Sequence, residues 1–125
     1  MPAGRDPART VRKGDAMAYD EGLAERVREV LRDTHGVVEK RMFGGIAFMV
    51  NGNMCCGAVE DKLMLRLGKD LTKEALKEPH TAPMDYTGKV MSTMIFVLPK
   101  GIASDDDLQH WIDRAVVFVR TLPKK

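Results

Sequence analysis

The sequence predicts an α+β fold, a two-layer sandwich in which an antiparallel sheet of about five strands carries its helices on one face. Three observations predict it. An amphipathic segment stands near each end of the chain, short apolar or alternating runs separated by two-residue turns fill positions 46–67, and another strand-like run spans 90–98. The predicted order is α-β-β-β-β-α-β-α. At 125 residues the chain suffices for one domain that buries its own core.

From Tyr19 to Asp33 the apolar residues Leu23, Val27, Val30 and Leu31 recur at spacings of three and four, which is a helix period. Gly36 ends that helix. "VVEKRMF" reads as a strand broken by Gly44-Gly45. "IAFMV", "MCCGAV" and "KLMLRL" then form a meander around the turns Asn51-Gly52 and Glu60-Asp61. Asn-Gly tolerates positive φ at both turn positions, which matches the twist of a tight hairpin. "LTKEALKE" is a short helix stopped by Pro79, and residues 80–89 read as a loop. "VMSTMIFVL" is a further strand. Ser104 and Asp107 mark the start of a last helix carrying Leu108, Trp111, Ile112, Ala115, Val119 and Leu122 on one face.

Residues 1–16 are expected to be a disordered leader or added sequence, and 17–125 the domain itself. The net charge of +2 resides in that leader, where Arg5, Arg9, Arg12 and Lys13 face only Asp6 and Asp15, so the body is neutral. A neutral body argues against autonomous binding to DNA phosphates. No apolar run approaches the roughly 20 residues of a membrane-spanning helix, and the polar N-terminus lacks a secretory signal, so the expected location is cytoplasmic and no membrane partner is expected.

Cys55 and Cys56 are the only cysteines. Neighbours on a strand point to opposite faces, so one is expected in the core and the other on the far face. Adjacent cysteines lack metal-ligand spacing, and the three histidines are scattered, so no metal site and no cofactor are expected. "RMFGG" lacks the phosphate-loop pattern, and its glycines are expected to serve a bulge or a close backbone approach. No catalytic residue is assigned. The binding candidates are Arg41, Phe43, Gly44 and Gly45 beside the first strand, Arg66, and His80, Asp85 and Lys89 of the 78–89 segment, because long loops often carry sites. Met42, Met49, Met54, Met64, Met84, Met91 and Met94 fall in strand regions, where methionine suits a pliable binding surface if a sheet face is left without helices.

"RMFGGIAFMVNGNMCCGAV", "LMLRLG", "PMDYTGK" and "LQHWIDRAVVFVRTLP", in this order, resemble the N-terminal domain of the TfoX/Sxy family. The resemblance covers roughly residues 17–125. The positions matching the family motif are Arg41, Met42, Phe43, Gly44, Gly45, Gly52, Pro83, Met84, Gly88 and Trp111. The resemblance implies a two-layer α/β domain and, for the family's namesakes, a role in switching on competence genes for DNA uptake. Those regulators carry a second domain after this one, and the resemblance supplies no catalytic residues.

The function expected is therefore a non-catalytic regulatory or protein-interaction domain, with a protein partner or a second copy of the chain (a homodimer) as its contact. Two alternatives stand beside it. A small-molecule-binding protein or small enzyme would need Arg41 or Arg66 to converge with His80 and Asp85 on one pocket. A nucleic-acid-binding accessory would need Lys40, Arg41, Lys62 and Arg66 clustered on one face.

Overall fold

A computed structural model describes residues 19–42, 44–86 and 89–125. The leader expected at 1–16 lies outside the described residues, as do Phe43, Gly88 and the side chain of Lys89. The first helix, α1 (Glu21–Val30), is capped by Asp20, whose carboxylate accepts from the N–H groups of Gly22 and Leu23. Strands β1 (Val37–Met42), β2 (Gly45–Val50), β3 (Asn53–Val59) and β4 (Lys62–Arg66) follow as an antiparallel meander. After α2 (Lys69–Ala75) come β5 (Thr81–Tyr86) and β6 (Lys89–Val97), a 3-10 turn at Pro99–Ile102, and α3 (Asp105–Val119).

Among the described residues the sheet has six strands in the order β1-β2-β3-β4-β6-β5, so β6 enters beside β4 and β5 becomes an edge. The sixth strand comes from the segment read as a loop. Thr81–Tyr86 carries Pro83, which cannot donate to a ladder and weakens the strand signal. On an edge that missing N–H costs nothing, and β5 pairs with β6 through a register shift between Pro83 and Met84. The Asn-Gly turn forms as expected, Asn51 at φ +53 and Gly52 at φ +83, joining Val50 to its partner Asn53. Ser104 caps α3 by accepting from the N–H of Asp107 at 3.1 Å, and three aspartates occupy the first turn, where the helix dipole favours them.

The two faces of the sheet hold different cores. One cluster joins Leu23, Ala24, Val27 and Leu31 of the α1 segment, Ala75 of α2, and Leu108, Trp111, Ile112, Ala115 and Val119 of α3 to Ile46, Phe48, Val50, Ala58, Leu63, Leu65, Ile95 and Val97 of the strands. The second cluster contains strand residues alone. Three arginines fasten the helix layer. Arg28 makes a two-pronged bond to Glu39 of β1 at 2.7 and 3.0 Å. Arg26 reaches the carbonyl of Ile102 at 2.7 Å, and Arg114 grips Glu78 at 2.8 and 3.2 Å while stacking 4.3 Å over Trp111.

Candidate functional site

The two cysteines do not take opposite faces. Both are fully buried in the helix-side cluster. The β2–β3 ladder pairs Phe48 with Cys56 but Met49 with Met54, so Cys55 is an extra residue with no partner of its own. Such a bulge breaks the strict alternation of side chains and brings Cys55 onto the side of Cys56. A hydrogen bond with Cys55, burial, and the charge of Cys55 all push the Cys56 thiol well above its ordinary 9.0. The fold therefore favours the protonated thiol, and the stability this gives is complete below pH 9 and lost as pH rises above it. Between pH 8 and pH 10.5, the unfolding free energy of the native chain should fall more steeply than that of Cys56→Ala, by up to about 1.4 kcal/mol per pH unit. Equal slopes in parallel denaturation series would contradict this account.

The glycines after β1 act on the backbone. Gly44 takes φ +76 with open space around it, as a turn requires. Gly45 is different, because a Cβ placed there would stand 2.1 Å from the carbonyl oxygen of Ala58 on β3. This is the close backbone approach expected from the sequence.

The remaining candidates are dispersed. Arg41 is exposed on β1 and Asp85 is exposed on β5, at opposite edges of the sheet, about 24 Å apart at the usual strand spacing. Arg66 on β4 is half-buried and bonds weakly to the carbonyl of Met54 at 3.5 Å. His80 is exposed at φ +64, its carbonyl accepting from the N–H of Leu98. His80 and Asp85 flank opposite ends of the edge strand β5, about 16 Å apart at the usual strand rise. Of the four cations proposed as one basic face, alternation puts Lys40, Lys62 and Arg66 on the side opposite the helices and Arg41 on the helix side. Lys62 is already paired with Glu60 and lies 5.2 Å over the ring of Phe96.

Three shallow hollows of about 410, 300 and 440 Å³ surround α1. None contains Arg41, Arg66, His80 or Asp85. The arginines that line them are already engaged, Arg28 with Glu39 and Glu25, Arg32 with Glu29, and Arg26 with Asp105. Among the described residues no group of three or more His, Cys, Asp or Glu side chains is placed to hold a metal ion.

The feature that stands apart is the strand-only cluster. It gathers Met42, Met49, Met54, Met64, Met84, Met91 and Met94 with Ala47, Val59 and Phe96, seven of the chain's nine methionines. Met54, Met64, Met84 and Met94 are buried, while Met42, Met49, Val59, Met91 and Phe96 form a half-buried outer layer. Among the described residues no helix contributes to it. Met84 fell in the segment read as a loop, and the other six of the seven methionines were legible as strand residues. Their gathering on one face was not, because Met91 and Met94 differ in parity and share a side only through the register shift between β5 and β6.

An antiparallel sheet backed by helices on one side, with a methionine-rich cluster on the other, defines a small α+β domain. The family model of the TfoX N-terminal domain matches residues 29–119, and the chain belongs to that family. No curated protein and no solved structure matches the chain. No helix among the described residues is long and apolar enough to cross a membrane.

Proposed function

We propose that this domain is a non-catalytic regulatory module that works through protein contact, with the methionine face as its contact surface. The observation that carries the proposal is the strand-only cluster, with its half-buried outer layer of Met42, Met49, Val59, Met91 and Phe96. Methionine side chains are unbranched and polarizable, so such a layer can repack around partners of differing shape. Family membership supports a regulatory setting, and a link to transcription is part of this proposal. The two unpaired, buried cysteines fit a cytoplasmic location, where thiols stay reduced.

The test is photo-methionine incorporated in cells lacking the native gene. Crosslinks from Met42, Met49 or Met91 to one recurring protein are expected. They should be lost, together with rescue of transcript levels, in a folded Met49→Lys/Met91→Lys chain. Undiminished rescue by that variant would overturn the reading.

A further inference from the structure

The two edges of the sheet are not alike. β5 carries Pro83 and an irregular register, two devices that discourage further strand pairing. β1 has neither. Its six residues pair with β2 in unbroken register, its outer side is open among the described residues, and Val38 is 60% exposed. Alternate residues of β1 therefore turn unpaired N–H and C=O groups to solvent.

We propose that β1 is the interface of a two-fold homodimer, in which β1 of one copy pairs antiparallel with β1 of the other to make a continuous twelve-stranded sheet. This proposal does not depend on the role given to the methionine face. The pleat limits the register, because residues directly opposite must point to the same side of the sheet. Val37, Glu39 and Arg41 lie on the helix side, and Val38, Lys40 and Met42 on the methionine side. A two-fold centred on Lys40 sets Glu39 of each copy against Arg41 of the other, and Val38 of each against Met42 of the other. That makes two opposite-charge pairs and two apolar pairs around a single Lys40–Lys40 contact. Centring on Glu39 instead places two carboxylates together and Val38 against Lys40. Centring on Arg41 places two guanidinium groups together.

Charge on an edge strand ordinarily discourages pairing. Here its alternation is self-complementary in one register, which selects a single dimer over open-ended stacking. A six-residue strand pair is smaller than a permanent interface, so the association should depend on concentration, with a dissociation constant on the order of micromolar or weaker.

Sedimentation velocity over a broad concentration range tests the proposal on the full chain. A monomer–dimer equilibrium is expected. Arg41→Glu should weaken it by about tenfold or more, because two attractive pairs become repulsive. Adding Glu39→Arg to the same chain should restore it, since each pair then regains opposite charges. Lys40→Thr should tighten it about threefold by removing the contact on the axis. Glu39 also holds Arg28 within its own chain, whereas Arg41 and Lys40 have no ion-pair partner among the described residues, so the Arg41→Glu and Lys40→Thr results do not depend on that contact. A chain that stays monomeric at every concentration, or a dimer indifferent to Arg41→Glu, would overturn the proposal. A double charge swap that fails to recover the dimer would do the same.

Discussion

Gly45→Ala is expected to destabilise the domain by about 3 kcal/mol or more, as measured by chemical denaturation. The added methyl would stand 2.1 Å from the carbonyl oxygen of Ala58 and 3.0 Å from the Val59 side chain. The first of these neighbours is backbone, held in the β2–β3 ladder where Ile46 pairs with Ala58. It can yield only if β2 and β3 separate. Gly44→Ala is the control, since that position has positive φ but nothing within 4 Å. It should cost only the left-handed penalty of about 1–2 kcal/mol. If the two variants prove equally stable, the close approach at Gly45 is not what the position requires. The comparison also bears on how the Arg41–Gly45 segment is read, because a glycine needed for strand contact explains its place in the family motif without any ligand.

Trp111→Ala should cost about 3–5 kcal/mol, followed by circular dichroism because the variant removes the chain's single tryptophan. Trp111 is 6% exposed, sits in the helix-side cluster, and carries the Arg114 guanidinium on its ring. Removing it opens a cavity between α3 and the sheet and takes away the platform that aims Arg114 at Glu78. Glu78→Ala, which breaks that pair from its more exposed end, should cost no more than about 1 kcal/mol, since partly exposed ion pairs contribute little. A Trp111→Ala loss no larger than that of Glu78→Ala would show that the ring packs less than its burial indicates.

The elements that the sequence revealed are those governed by near neighbours. Leu23 and Val27 announced α1, Leu108 to Val119 announced α3, and Asn51-Gly52 announced a hairpin, because a helix period or a turn preference acts within a few residues. Asp20, the cap of α1, acts at the same short range, although the apolar period alone does not mark it. The strand Thr81–Tyr86 was not legible. Pro83 argues against a strand, and only its position on an edge next to β6 removes the objection. The candidate binding residues carry suitable chemistry, but the sheet order separates Arg41 from Asp85 by its full width.

The sequence by itself determined the fold class, the helix faces, the hairpin at Asn51-Gly52 and the strand placement of six of the seven methionines, Met84 excepted. All of these rest on local periodicity and turn chemistry. Tertiary structure alone decided which side each strand residue faces once alternation is broken. The bulge at Cys55 turned both cysteines into the helix-side core, and the shift between β5 and β6 joined Met91 to Met94. Sheet order likewise made β1 an edge. A bulge is a relation between two strands rather than a property of either one. Its effect on facing appears only when the partner strand is in place.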